Sequence, residues 1–346
     1  MVFCRNFMVG LVVVGLSSSF VDGAVAEEPA SVEWVALGDS YTAGGFVGEQ
    51  RSGNGCDRTV GAYPEQVGGR LGGDLVRLVD VSCGNATISD LHLTSQVPAS
   101  PVGTPEGGWA AVAPQLEPVS ADTAVVTIGV GGNSVPLGGL VMSCLLLGAG
   151  FPDDATPCRD AHTSGGDGQE TIDQVLDRVA SEYVELLEAV RAKAPSAAVI
   201  TVGYPTIFPA DASSCGREDT TAFAANVNDT LLSITHGDIE WLGQVVAELN
   251  TVIKDATEYV GAFRFVDTAT SSVGHDVCQD AYDKWVEGVC GSAEWFWPSS
   301  ITLGKPPMSF TLTCTDDTSA TIVHPNLNGH RHVADLVEPV IREAVG

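Results

Sequence analysis

The stretch VALGDSYTAGG at residues 35–45 carries an apolar run into Gly38-Asp39-Ser40 and then into a cluster of small residues. Gly, Asp and Ser are all common in turns, so the stretch reads first as a turn. Its second reading is chemical: a hydroxyl set among small side chains can approach a substrate closely and act as a nucleophile. That chemistry needs a base for the hydroxyl proton and donors for the oxyanion that forms on the attacked carbonyl. Candidates for both stand further along, in CGNAT (83–87), GVGGNS (129–134) and HPNLNGH (324–330). Taken singly, each is weak. Gly84 can simply relieve a turn beside Cys83, and Asn133 can be an ordinary loop residue after two glycines. The chain has seven histidines; His330 or His332 can cap a last helix, and His275 near Cys278 can be structural.

The elements that must position these residues are legible in outline. VEWVAL (32–37), TAVVTIG (123–129) and AAVITVG (197–203) are β-branched runs that read as buried strands, with LVRLVDV (75–81) and FRFV (263–266) as weaker candidates. The segment 171–193 reads as a helix, with Ile172, Leu176, Val179, Tyr183, Leu187 and Val190 on one stripe. Thr171 with Gln174 fits a capping box, and Pro195 closes the element. A second helix is expected at about 220–255, broken near Gly237, and a last one at 328–344. Strands alternating with helices predict an α/β fold with a parallel sheet covered on both faces. Ligands then meet the loops at the carboxyl ends of the strands. Gly38-Asp39-Ser40 and Gly131-Gly132-Asn133 both follow strands and are therefore expected on one rim.

The amino terminus has Arg5 as its only early positive charge, an apolar core at 7–16, and Ala24-Val25-Ala26 before Glu27. That is the layout of a secretory signal peptide, and the core is too short to span a bilayer. Cys4 precedes that core and is no lipoprotein cysteine. Residues 1–26 are expected to be removed on export, leaving 27–346 as a single domain that is extracellular or associated with the cell envelope. With 44 acidic against 16 basic residues and a net charge of −28, neither nucleic-acid binding nor charge-driven docking on anionic membranes is expected. Eight further cysteines remain: Cys56, Cys83, Cys144, Cys158, Cys215, Cys278, Cys290 and Cys314. In an exported chain that even number reads as four disulfides, with about 105 connectivities open. No metal-ligand spacing is present, and no cofactor is expected.

Read in order, GDSYTAG, CGNAT, GVGGNS and HPNLNGH resemble the SGNH, or GDSL-type, hydrolases, and most closely their secreted actinobacterial lipase and esterase branch. AYP (62–64), GYPTIF (203–208) and GHDVC (274–278) add to the resemblance. It implies a flavodoxin-like, three-layer α/β/α sandwich around a mostly parallel sheet, acting as a monomer without a cofactor. It implies Ser40 as nucleophile and His324 as base. The amides of Ser40 and Gly84 and the side chain of Asn133 are then the oxyanion donors. Pairing is expected as Cys56–Cys83, Cys144–Cys158 and Cys215–Cys278, which leaves Cys290–Cys314 to tie WFWPSS (295–300) near the histidine loop. Two positions depart from the family pattern. Thr321 stands where an aspartate commonly orients the histidine, with Asp316 and Asp317 too early in register unless a loop returns one of them. A Ser40–His324 dyad is expected, the Thr321 carbonyl holding the ring. Ser134 replaces the final acid of G-G-N-D and is expected to hydrogen-bond locally, leaving Asn133 in its role.

The implied activity is hydrolysis of carboxylic esters of acyl lipids or small esters. Deacetylation or acyl transfer on cell-wall glycans, and a degenerate binding protein, are the alternatives. The uncharged stretch 135–151 contains four glycines and a proline, which suits a buried helix, or an apolar wall for acyl chains, better than a membrane span.

Overall fold

The computed structural model describes residues 1–2, 31–51, 53–166, 168–261, 263–305, 308–315 and 317–346. Residues 3–26 of the expected signal segment, residues 306–307 and Asp316 lie outside them. Five strands form the central sheet: β1 (Val32–Gly38), β2 (Val76–Asp80), β3 (Thr123–Gly129), β4 (Ala198–Val202) and β7 (Arg264–Val266). All are parallel, in the order β2-β1-β3-β4-β7. Successive side chains of a strand face opposite ways. Trp34 and Ala36 accordingly join the core under α2 (Tyr63–Leu71) and α8 (Leu327–Val345), whereas Val35 and Leu37 join the larger core on the other face. That larger core is closed by α3 (Ile88–His92), α4 (Leu137–Gly148), α6 (Ile172–Lys193) and α7 (His236–Val260). The result is three layers, helices on both sides of a parallel sheet, with α1 (Ser40–Ala43) and α5 (Pro157–Thr163) as short additions.

Helix α6 starts where its capping box places it. The Thr171 side chain accepts from Gln174 N, and the Gln174 side chain accepts from Thr171 N at 2.9 Å. The expected helix at 220–255 is corrected. Its first third is an antiparallel hairpin, β5 (Ala224–Val227) and β6 (Thr230–Ser233), and α7 begins only at His236 behind the N-cap Thr235. The cause is local: Asn228 and Asp229 both adopt positive φ (48° and 64°), the conformation of a two-residue hairpin turn. β5 also pairs with β9 (Met308–Thr313), which pairs with β8 (Ser300–Lys305), giving a second, antiparallel sheet ordered β6-β5-β9-β8. The uncharged stretch becomes α4, buried along Leu140, Val141, Cys144 and Leu145. Among the described residues, no helix is long and apolar enough to cross a membrane.

Four disulfides join Cys56–Cys83, Cys144–Cys158, Cys215–Cys278 and Cys290–Cys314. The sheet order reverses at β1, whose neighbours β2 and β3 are reached in opposite directions. The crevice beyond the carboxyl ends of β1 and β3 is therefore where such a fold receives a ligand.

Candidate active site

The last register pair of β1 and β3 is Gly38 with Gly129, so the segments after both strands leave the sheet at one level. The segment after β2 joins them, because Cys83 N donates to Gly38 O at 3.0 Å. Buried Gln115 clamps the same glycine from both sides, accepting from Gly38 N (2.8 Å) and donating to Gly38 O (2.9 Å). A Cβ at Gly38 would lie 2.1 Å from Thr42 Oγ1, so only glycine lets the chain fold back here. Asp39 then caps α1, its Oδ1 accepting from Tyr41 N at 2.9 Å. This capped turn stands Ser40 up at the rim.

His324 arrives from the other end of the chain. Its Nε2 lies 2.7 Å from Ser40 Oγ, and its Nδ1 lies 2.9 Å from Thr321 O and 2.8 Å from Ile322 O. Carbonyls only accept, so these partners put the proton on Nδ1 and leave Nε2 to accept from the Ser40 hydroxyl. Both carbonyls turn inward because Ile322 and Val323 hold φ of 46° and 53°. That left-handed conformation is unfavourable for β-branched residues and persists only where the surroundings impose it. Here the 287–289 segment does so. Ile322 N donates to Val289 O (3.0 Å), Val323 N to Gly288 O (2.8 Å), and Glu287 N to His324 O (2.9 Å). The Thr321 hydroxyl donates to Gly288 O at 2.9 Å, and Tyr41 donates to Val323 O. Downstream, Asn326 caps α8 by accepting from Asn328 N and Gly329 N. Asp317 is exposed and does not meet the ring. His275 stacks on Trp285, His332 bonds Ser271, and buried His330 accepts from Tyr63 N.

Asn133 and Asn85 share one pocket with Ser40 and His324. The Asn133 side chain donates to Ala86 O at 3.1 Å, and the neighbouring Ser134 hydroxyl accepts from Ile88 N at 3.0 Å. Serine thus links the loop after β3 to the start of α3. Gly84 does not line this pocket. Its N–H donates to Cys56 O (3.0 Å) and its carbonyl accepts from Gln96 (2.6 Å), so both main-chain groups are spent inside the fold. The residue that reaches the pocket is Asn85, at φ 63°. Asparagine is among the few residues besides glycine that adopt this conformation readily. CGNAT offers both at adjacent positions, and spacing alone does not choose between them.

The pocket encloses about 600 Å³. Its polar end is formed by Ser40, Asn85, Asn133 and His324, and Leu137, Met142 and Leu146 of α4 with Phe310 of β9 make an apolar wall. Burial holds the His324 pKa below its ordinary 6.5, although the Ile322 and Thr321 carbonyls act in the opposite sense. Burial also raises the Asp39 carboxyl to about 7, against the bonds it accepts from Tyr204 and Tyr41. Tyr204 was not singled out by sequence reading beyond its place in GYPTIF. Its hydroxyl donates to Asp39 Oδ2 at 2.5 Å and accepts from Gly132 N at 2.8 Å.

Comparison with known proteins identifies the family. A model of the GDSL-like lipase/acylhydrolase family matches residues 36–332, a span that contains every pocket residue named above. Lipase 2 of Streptomyces coelicolor is 30% identical over 335 residues, covering 96% of this chain and 94% of that protein. An esterase of Streptomyces scabiei is 28% identical over 283 residues, 77% of each chain. The crystal structure of phospholipase A1 from Streptomyces albidoflavus NA297 has the same fold, with a TM-score of 0.58 at 21% identity over 91% of this chain and 100% of that one. The chain belongs to the GDSL-like lipase/acylhydrolase family and is an ester hydrolase of that family.

Proposed function

We propose that the protein is a secreted lipase or esterase that cleaves carboxylic esters through an acyl-enzyme on Ser40, with His324 as base. The observation that carries this reading is the 2.7 Å contact between His324 Nε2 and Ser40 Oγ, made by a ring whose Nδ1 faces two carbonyls. His324 takes the Ser40 proton as Oγ attacks the ester carbonyl. The imidazolium then returns that proton to the leaving alcohol, and water repeats the sequence to release the acid. In this reading the developing oxyanion is met by the Ser40 amide, the Asn133 side-chain amide and the main-chain amide of Asn85, which replaces Gly84 in that role. Ser40 is the first residue of α1, so its amide has no acceptor within the helix.

The apolar wall of α4 and Phe310 supports an acyl chain as the group bound, and so favours lipid or simple esters over acetylated glycans. Four disulfides support maturation in an oxidising compartment, in keeping with removal of residues 1–26 on export and a single catalytic domain at 27–346. The test is labelling with a fluorophosphonate, together with turnover of p-nitrophenyl esters of increasing chain length. Stoichiometric label on Ser40, lost in Ser40→Ala, and turnover beyond the acetyl ester are expected. Label on another serine would refute the assignment, and activity on acetyl esters alone would favour the glycan reading.

A further inference from the structure

We propose that Tyr204 is a positioning residue that sets the distance between the nucleophile turn and the oxyanion loop, by bonding Asp39 on one side and Gly132 on the other. The inference rests on the reading of Ser40 and Asn133 given above. Tyr204 follows β4, one strand beyond β3, and its ring is buried. Its main chain is gripped by α7: Tyr204 N donates to Asn250 Oδ1 (2.8 Å), and Asn250 Nδ2 donates to Tyr204 O (2.9 Å). The ring packs edge-on against Tyr41 at 5.0 Å between centroids. The hydroxyl is therefore presented from a fixed base.

Two neighbours meet that hydroxyl. It donates to the buried Asp39 carboxyl, whose other oxygen holds Tyr41 N, and so engages the cap of the turn carrying Ser40. It accepts from Gly132 N, the amide directly before Asn133. A hydroxyl that donates to a carboxyl and accepts from an amide is polarised by each partner toward the other, which strengthens both bonds in a site shielded from water. A Cβ at Gly132 would come within 3.3 Å of the Tyr204 ring and hydroxyl, close enough that the ring or the loop would have to shift by a few tenths of an ångström.

The geometry matters because nucleophile and oxyanion donors must converge on one carbonyl. A displacement of about 1 Å in such an arrangement costs roughly 10²-fold in rate. Without the hydroxyl, Gly132 N and Asp39 Oδ2 are both left buried without this partner, and the Gly131–Gly132 peptide, one residue before Asn133, loses its tether. The direct link between the two strands, Asp39 N to Gly129 O at 3.0 Å, survives, so the expected loss is partial.

The experiment is a double-mutant cycle of Tyr204→Phe and Asn133→Ala, with kcat, KM and thermal midpoint measured on a p-nitrophenyl ester. Phenylalanine keeps the packing on Tyr41. Tyr204→Phe is expected to lower kcat about tenfold, less than the roughly 10²–10³ for an oxyanion donor itself, while KM stays within about twofold. On the Asn133→Ala background the same change is expected to cost under about twofold, because the group it positions is gone. An unchanged kcat in Tyr204→Phe, or an equal loss on both backgrounds, overturns the inference. Should Tyr204→Phe fail to fold, Gly132→Ala takes its place. It is expected to produce the same kcat-selective loss, absent when Asn133 is already alanine, and an unchanged kcat overturns the inference equally. Failure of the functional reading looks different: Asn133→Ala would then leave kcat intact and Ser40 would not be labelled.

Discussion

Thr321 holds His324 with its backbone and the neighbouring loop with its side chain. Its carbonyl stands 2.9 Å from Nδ1, whereas its hydroxyl donates to Gly288 O. In the proposed dyad, main chain stands where the resemblance would place an aspartate, and the Ile322 carbonyl is a second acceptor at 2.8 Å. A neutral carbonyl orients the ring but stabilises imidazolium less than a carboxylate does.

A dyad of this kind makes Thr321→Ala nearly silent in kcat, within about threefold, because the carbonyl survives. The lost hydroxyl bond costs about 1 kcal/mol of stability, visible as a small fall in thermal midpoint. Asp317→Asn and Asp316→Asn are each expected to cost less than about tenfold, against the roughly 10⁴ lost with a true triad carboxylate. A thousandfold loss in either, with circular dichroism unchanged, would establish a triad.

Asn85 and Gly84 separate cleanly by substitution. A Cβ at Gly84 meets only ordinary contacts, at 3.7 Å from Asp57 Oδ2 and 3.8 Å from Cys56 O. Gly84→Ala is therefore expected to leave kcat within about twofold. Asn85→Gly retains both the amide and the positive φ and is also expected to be mild. Asn85→Val forces a β-branched residue to φ 63° and is expected to lower kcat well beyond either. A mild effect of Asn85→Val on kcat would refute the assignment of the donor to Asn85.

The pH dependence follows from His324. The base must be neutral, and burial holds its pKa below 6.5, so the acid limb of kcat/KM is expected below pH 6.5 with a plateau above it. Stability has the same sign. Neutral His324 and His330, the latter lowered by burial to about 3, favour the folded state above pH 6.5. For His330 that contribution is lost as pH falls from 6.5 toward 3, where the unfolded chain takes up the proton first. Asp39, raised to about 7, contributes in the opposite direction: its share is full below pH 3.8 and lost as pH rises through 7. Thermal midpoints of His330→Asn are expected to vary less between pH 3 and 6.5 than those of the parent protein, and an unchanged slope would contradict this.

Cys290–Cys314 closes a span of 24 residues that ends just before the histidine loop, and the adjoining Gly291 and Ser319 exchange main-chain bonds of 2.9 and 2.8 Å. Replacing both cysteines by serine is expected to cost about 3 kcal/mol and to lower kcat more than it changes KM. Thermal scans with steady-state kinetics measure both, and an unaffected kcat would mean that the 287–289 contacts hold His324 unaided.

The sequence by itself determined the chemistry on offer and the core that carries it. Buried parallel strands are β-branched runs, and α6 announces itself by stripe and cap; these are local properties, set by side-chain chemistry and short-range periodicity. Ser40, Asn133 and His324 stand out only through the resemblance of four ordered blocks to a known family. Tertiary structure decided what depends on distant partners. The β5–β6 hairpin was hidden because its strands are four residues each, and β5 has its second neighbour in β9, some eighty-five residues away. That Cys56 O takes the Gly84 amide, leaving Asn85 to face the pocket, depends on a contact between segments 28 residues apart. The inward carbonyls at Thr321 and Ile322 required a left-handed backbone at Ile322 and Val323, which no local preference favours and which hydrogen bonds to 287–289 and from Tyr41 hold in place. Side-chain types are written along the chain, but which backbone groups remain free to act is settled only when every other segment has claimed its own.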